Sequence, residues 1–87
     1  MTTRHTTDTE VETIELDCTG LLCPLPVYKA ALALGKLQPG ERLRLITTDP
    51  GALQDIPAMA RQRRDTLVSV DSTAGRQTFI IEKGRDQ

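Results

Sequence analysis

The sequence has 87 residues, with 11 Lys and Arg against 12 Asp and Glu, one Tyr, one Phe and no Trp. This length suits one small domain, and the near-zero net charge with so few aromatic rings argues against direct nucleic-acid binding. No stretch reaches the roughly 20 apolar residues of a membrane span, and the polar N-terminus does not resemble a secretory signal. We therefore expect a cytoplasmic protein that does not bind membranes and whose cysteines stay reduced.

The N-terminal region divides into a polar arm and a first strand. Residues 1–10 are polar and rich in Thr, which predicts a disordered arm and leaves residues 11–87 as a single domain. Ile14, Leu16 and Cys18 then alternate with polar residues, the pattern of a half-buried strand.

The next segment predicts a helix and a second strand. The helix begins at Pro24 and ends at Gly35, before the turn-forming sequence PGE. Its apolar positions form two neighbouring stripes: Val27, Ala31 and Leu34 on one, and Leu25, Tyr28 and Leu32 beside it. Residues 41–47 alternate as a strand, and its members expected on the open face are Arg42, Arg44 and Ile46.

The second helical region contains two prolines. Asp49 followed by Pro50 predicts an N-cap with proline at the first helical position. Pro57 is unfavourable deep in a helix, so we expect a break there, with Asp55 capping a second helix that runs to about Arg63. Two further strands follow, joined as a hairpin at the sequence TAG.

The expected order is β-α-β-α-β-β. Two helices are too few to cover both faces of a four-stranded sheet. The sequence therefore predicts an α/β (α+β) two-layer sandwich, with a four-stranded mixed sheet and both helices on one face.

Cys23 is the candidate nucleophile. If the helix begins at Pro24, Cys23 is its N-cap, Pro24 and Pro26 stiffen the first turn, and Leu25 supplies the main free amide. The positive end of the helix dipole would lower the pKa of the thiol moderately, which suits a sulfur that both accepts and releases a group. A structural cysteine at a helix start is the alternative at this point.

The surroundings of Cys23 favour exchange at sulfur. The only histidine, His5, lies in the polar arm, so no positioned base of the kind used by cysteine proteases is evident. The apolar rim expected to dock a partner consists of Leu21, Leu22 and Leu25. The first two strands should be parallel, so the loop with Asp49 should approach Cys23 at the same sheet edge.

The second cysteine and the single histidine do not predict a metal site, because zinc normally takes four protein ligands. Cys18 ends a strand, which favours a small buried residue; a resolving thiol that attacks a persulfide is the alternative. A disulfide between Cys18 and Cys23 would close a very short loop and stabilise little.

The segments LDCTGLLCPLPV, TDP, DIPA and IEKG resemble the TusA/SirA-like family of sulfur carriers, over about residues 14–84. The resemblance implies that Cys23 carries sulfur as a persulfide, with no separate cofactor and no small-molecule turnover of its own. It also implies that Gly20, Pro24, Pro26 and Asp49 position the motif. At three positions where some or many members carry a basic residue, a cysteine and a Gly-His pair, this chain has Leu22, Ala60, and Arg64 with Asp65.

The resemblance further implies two kinds of partner. A cysteine desulfurase or a rhodanese-type enzyme would load Cys23, and an acceptor protein would unload it toward tRNA thiolation, sulfur oxidation or cofactor maturation. Basic residues that could contact a partner are Lys29, Arg61, Arg63 and Arg64, although ordinary surface positions would also explain them. The competing hypotheses are a regulatory or partner-binding module without sulfur transfer, and a thiol–disulfide redox protein.

Overall fold

A computed structural model describes residues 13–85, so the predicted arm at residues 1–10 lies outside the described residues. The elements are β1 (Thr13–Cys18), α1 (Leu25–Gly35), β2 (Arg42–Thr47), α2 (Ala52–Arg63), β3 (Thr66–Thr73) and β4 (Arg76–Glu82). The predicted order β-α-β-α-β-β is therefore confirmed.

The four strands form one mixed sheet in the order β1-β2-β4-β3. β1 and β2 are parallel, as expected for strands joined by a helix, whereas β2–β4 and β3–β4 are antiparallel. Cys18, the last residue of β1, pairs with Thr47, the last residue of β2. The loops that follow these two strands therefore start side by side at one edge of the sheet.

Both helices pack on one face of the sheet, which confirms the two-layer sandwich. The fully buried residues of the core come from both helices and from three strands: Cys18, Ala30, Leu34, Leu43, Leu45, Ile56, Phe79 and Ile81. On the opposite face Arg44 is exposed as predicted, but Ile46 is only 4% exposed. Ile46 lies between Asp17 and Thr78 on the adjacent strands, which flank it on both sides.

The helix α1 packs the first of its two predicted stripes against the core and leaves the second on the surface. Its buried residues are Pro26, Ala30 and Leu34, spaced four apart along the helix. Of the predicted stripes, Val27 and Ala31 are partly buried, and the row Leu25, Tyr28 and Leu32 points outward. An apolar row is therefore left on the surface of α1.

The helix α2 is continuous, so the predicted break at Pro57 is wrong. Gly51 is the N-cap, and Pro57 lies inside the helix, where it cannot donate the hydrogen bond that an amide would give to Leu53. The buried residues on both sides of Pro57 are Ala52, Ile56, Met59 and Ala60. Their packing against the core stabilises one helix despite the missing bond.

The hairpin between β3 and β4 forms where predicted. Ala74 and Gly75 make a two-residue turn, both with positive φ, which is the geometry that matches the twist of paired strands. Within the described residues, no helix is long and apolar enough to cross a membrane.

Candidate functional site

The loop between β1 and α1 exposes the Cys23 side chain at the edge of the sheet where β1 and β2 end. Asp17 Oδ1 accepts the N–H of Thr19 at 2.9 Å as the chain leaves β1. Gly20 follows at φ +82°, a backbone conformation that glycine adopts without steric cost. The N–H of Gly20 donates to the Thr48 hydroxyl at 2.8 Å, which ties this loop to the one after β2.

The first turn of α1 differs by one residue from the prediction. Pro24 is the N-cap and the helix begins at Leu25, so Cys23 precedes the cap, while Pro26 occupies the first turn and is buried. The Leu25 amide, predicted to be free, donates to the carbonyl oxygen of Leu22 at 2.9 Å. That amide is therefore not available to the Cys23 thiol.

Two carboxylates contact Cys23 from the chain that follows β2. Asp49 Oδ2 accepts the backbone N–H of Cys23 at 2.8 Å. The Cys23 thiol donates to Asp55 Oδ2 at 3.2 Å, from the first turn of α2. The structure thus brings Asp49 to Cys23, as the parallel strands predicted, and adds Asp55, which the sequence analysis had treated only as a helix cap.

These carboxylates reverse the expected electrostatics of Cys23. Its pKa is raised, first by the hydrogen bond to Asp55, then by desolvation and by the negative charges of Asp55 and Asp49. Removing the thiol proton would place a third negative charge beside the two carboxylates, which disfavours the thiolate. The predicted lowering of the pKa is therefore wrong, and Cys23 of the free protein is a thiol at neutral pH.

The carboxylates of Asp49 and Asp55 have no cationic partner within residues 13–85. The ion pairs in this part of the chain use other acidic residues: Glu15, Asp65 and Glu82. The electrostatic effect of both groups on Cys23 is therefore not offset by a neighbouring cation in this part of the chain.

The Asp49 loop is itself held in place. Its Oδ1 accepts the N–H of Gly51 at 3.2 Å, and its carbonyl oxygen accepts the N–H of Ala52 at 2.9 Å. Gln77 on β4 is buried, and with its amide nitrogen facing Thr47 it also donates to the Asp49 carbonyl oxygen at 3.3 Å. The Asp49 carboxylate is therefore oriented toward Cys23 by contacts on both sides.

An apolar surface begins beside the thiol. Leu21 packs partly against the core, but Leu22 is 70% exposed and Leu25 is 44% exposed. Tyr28 and Leu32, each 68% exposed, continue the row along α1. We name Leu22, Leu25, Tyr28 and Leu32 the α1 row. Lys29 is exposed on the same helix.

The three arginines are not brought to Cys23. They lie at the far end of α2, with Arg63 about 12 Å along the helix axis from Asp55. Arg63 donates to Asp65 Oδ2 at 2.9 Å, so its charge is already paired. Arg61 and Arg64 are exposed, and Arg64 caps the helix with φ +65°.

Cys18 is fully buried in the core, as its interpretation as a core residue predicted, and both cysteines are free thiols. Burial raises the pKa of Cys18 above its ordinary value. Among residues 13–85, no three His, Cys, Asp or Glu side chains are grouped so that they could hold a metal ion. Of the two thiols in the described chain, Cys23 is therefore the exposed one.

The contribution of Asp55 was missed because the break predicted at Pro57 assigned it to a helix end. The sequence did carry one signal, since Asp55 belongs to the DIPA segment of the family resemblance. Thr48 and Gln77 were missed for another reason, because nothing local in the sequence indicates which distant loop or carbonyl they contact.

Comparison with known protein families gives a match that covers most of the described chain. The family model described as sulfurtransferase TusA matches residues 14–83. The chain belongs to the TusA family. The match includes Cys23, Asp49 and Asp55, and it ends at Lys83 after the last strand.

Individual members of the TusA family are similar over most of this chain. The sulfur carrier protein TusA of Allochromatium vinosum is 39% identical over 69 residues, 79% of this chain and 91% of that protein. A putative sulfur carrier protein of Neisseria meningitidis serogroup A is 39% identical over 67 residues, covering 77% and 90%. One from Aquifex aeolicus is 37% identical over 82% of this chain but only 36% of its own length.

Proposed function

We propose that this protein is a sulfur carrier that holds sulfur as a persulfide on Cys23 and relays it between two partner proteins. The observation that carries the proposal is the contrast between the two thiols. Cys23 is exposed at the edge of the sheet, whereas Cys18 is fully buried in the core. The sulfur-carrier names of the relatives support the same role.

The proposed exchange needs no oxidant and no cofactor. Cys23 Sγ attacks the terminal sulfur of a persulfide on the donor, a new S–S bond forms on Cys23, and the S–S bond of the donor breaks. The donor cysteine leaves as a thiol, taking up the proton that Cys23 loses. In a second exchange of the same kind the Cys23 persulfide is the donor. Its terminal sulfur passes to an acceptor, and the Cys23 thiol is regenerated.

The α1 row is the surface that we propose for partner docking. Its exposed side chains begin next to Cys23 and continue along one side of α1, so a partner that covers them brings its own sulfur near the thiol. Lys29 lies on the same helix and can pair with an acidic group of the partner. Arg61 and Arg64 remain outside this surface because they lie at the other end of α2.

We place the proposed relay in the cytoplasm, where free thiols persist. The donor that we propose is a cysteine desulfurase or a rhodanese-type enzyme, and the acceptor is a second protein with a reactive sulfur or an activated substrate. The pathway served, whether tRNA thiolation, sulfur oxidation or cofactor maturation, follows from the identity of that acceptor.

Intact-protein mass spectrometry tests the proposal. The protein is incubated with a cysteine desulfurase and cysteine, or with a rhodanese and thiosulfate, and compared with its Cys18→Ser and Cys23→Ser variants. We expect a gain of one sulfur atom that a reductant removes, and we expect only Cys23→Ser to abolish it. No gain with either donor would favour a partner-binding module of the same fold.

A further inference from the structure

We propose that Asp55 is a positioning residue of the sulfur-transfer site, which holds the Cys23 thiol proton and points the sulfur toward α2 until a partner displaces that contact. The inference rests on the proposed function, since it concerns the reactivity of the same thiol. It adds that the contact with Asp55 makes Cys23 a weak nucleophile as long as no partner is bound.

The geometry supports this role because Cys23 is held at two points. Its backbone N–H is bonded to Asp49 Oδ2 at 2.8 Å, and its Sγ donates to Asp55 Oδ2 at 3.2 Å. Asp49 comes from the loop after β2 and Asp55 from the first turn of α2. The two contacts together fix both the backbone and the sulfur of Cys23 relative to α2.

The helix α2 fixes Asp55 itself. The backbone N–H of Asp55 donates to the Gly51 carbonyl oxygen at 3.0 Å, and the next residue, Ile56, is fully buried in the core. The backbone of Asp55 is therefore held by the helix and the core, in a position from which its carboxylate reaches the Cys23 thiol.

The charges around Cys23 act in one direction. Asp55 and Asp49 both disfavour its thiolate, and neither carboxylate is paired with a cation within residues 13–85. The charges of Lys29 and Asp17 act on the other cysteine, Cys18, with opposite signs. Asp55 is the carboxylate bonded to the sulfur, so it is the one whose removal should change Cys23 most.

The consequence for sulfur transfer follows from the order of events at Sγ. As Cys23 attacks a donor persulfide, the hydrogen bond to Asp55 breaks, and the proton passes from Sγ to the donor sulfur as the donor S–S bond breaks. In the free carrier that hydrogen bond stays in place. The thiol is thereby protected from reaction with unrelated electrophiles and disulfides, because the thiolate is the reactive form.

The test is the pH dependence of Cys23 alkylation by iodoacetamide, followed by mass spectrometry of the peptide that contains Cys23. The variants are Asp55→Asn, which removes the charge and keeps an acceptor, and Asp55→Ala, which removes both. We expect Asp55→Asn to react about fivefold faster at pH 7, because Cys23 is exposed and a unit charge about 4 Å away acts with this strength in bulk water. The midpoint of its pH profile should lie lower than that of the wild type.

The matched control is Asp71→Asn, which removes a carboxylate on the outer strand β3 that bonds to the Thr73 hydroxyl. Its alkylation profile should superimpose on that of the wild type. If Asp55→Asn and Asp55→Ala both keep the wild-type midpoint, or change the rate by the same factor at every pH, Asp55 has only a structural role and the inference is overturned.

This experiment uses no sulfur donor, so it separates the two proposals. A lowered midpoint in Asp55→Asn supports the role of Asp55 even if Cys23 never acquires a persulfide. An unchanged midpoint together with persulfide formation on Cys23 overturns the role of Asp55 and leaves the sulfur carrier intact.

Discussion

Asp49 accepts the backbone N–H of Cys23 at 2.8 Å, so the loop after β2 is bonded to the very residue that bears the exposed thiol. The pairing of Cys18 with Thr47 makes this contact possible, because it starts both loops at the same level of the sheet. The site is therefore built by the parallel pair β1–β2 and does not depend on the helix start alone.

The Asp49 contact predicts a measurable effect on stability. Asp49→Ala removes the acceptor for Cys23 N–H and for Gly51 N–H, and we expect it to lower the free energy of unfolding by about 1 kcal/mol. Asp49→Asn keeps one acceptor oxygen and should lose less. Urea unfolding at pH 7 measures both, and an alanine variant with the wild-type urea midpoint would contradict the prediction.

The buried thiol of Cys18 predicts a loss of stability at alkaline pH. Burial raises its pKa above the ordinary value of 9.0, so the folded state keeps the proton at a pH where the unfolded chain has released it. The contribution of the protonated Cys18 thiol to the free energy of unfolding is therefore complete below the ordinary pKa of a thiol. It is lost as the pH rises through the higher pKa of the folded state.

We expect the free energy of unfolding of the wild type to fall as the pH rises past the ordinary thiol pKa of 9.0, and to fall less in Cys18→Ala. Urea unfolding at a series of pH values measures this difference. Cys23→Ala is the comparison, since the pKa of Cys23 is raised as well and its removal corrects for the second thiol. Parallel curves for Cys18→Ala and the wild type would show that Cys18 does not titrate in this way.

Substitutions in the α1 row should slow the loading of sulfur onto Cys23 without changing the free energy of unfolding much. Tyr28→Ser and Leu32→Ser change side chains that are 68% exposed, so the free energy of unfolding should change by about 0.5 kcal/mol or less. If a donor docks on the row, each variant should weaken docking by about 1–2 kcal/mol, seen as slower loading of Cys23 at low donor concentration.

The control for this prediction is Val68→Ser, which changes an apolar residue that is 41% exposed on the outer strand β3. Its loading rate should equal that of the wild type. Equal loading by Tyr28→Ser, Leu32→Ser and Val68→Ser would mean that the donor docks elsewhere.

The end of α1 predicts a stabilising role for a buried lysine. Lys83 Nζ donates to the carbonyl oxygen of Leu34 at 2.6 Å, and Lys83 is only 7% exposed. The same carbonyl oxygen also accepts the N–H of Leu37 at 3.1 Å, so the Lys83 cation adds a second, charge-assisted bond at the helix C-terminus. Lys83→Met keeps much of the side-chain volume but loses this bond, and urea unfolding should show a loss of about 1.5–3 kcal/mol.

Lys36→Met is the matched variant, since Lys36 caps the same helix through its backbone but its side chain is exposed. We expect its unfolding midpoint to stay close to that of the wild type. If both lysine variants unfold alike, the bond from Lys83 to Leu34 contributes no more than a surface charge does.

Local patterns in the sequence were sufficient for the element order and for the approach of Asp49 to Cys23. Alternation identified β1 and β2, and the helix between them required parallel strands with adjacent carboxyl ends. The direction of the Cys23 pKa could not be obtained in this way. It depends on Asp55, which is 32 residues away in the chain and lies in the first turn of α2, not at a helix break.

For a similar reason, the sequence could not show which apolar side of α1 faces the sheet. Leu25, Tyr28 and Leu32 have the spacing of a core-facing stripe, but the sheet accepts Pro26, Ala30 and Leu34 instead. Periodicity shows that a helix has apolar sides, whereas the packing partner decides which side is covered. In this chain the uncovered side lies next to the candidate functional cysteine.

The hydrogen bonds between Thr48 and Gly20 and between Asp49 and Cys23 hold the loop that bears the thiol close to the edge of the sheet. A carrier of this kind cannot thread its cysteine into a deep, narrow cleft. Under the proposed function, a partner that exchanges sulfur with Cys23 has to bring its own reactive sulfur outward, on a segment mobile enough to cover the remaining distance. The reach of the proposed transfer is then a property of the partner.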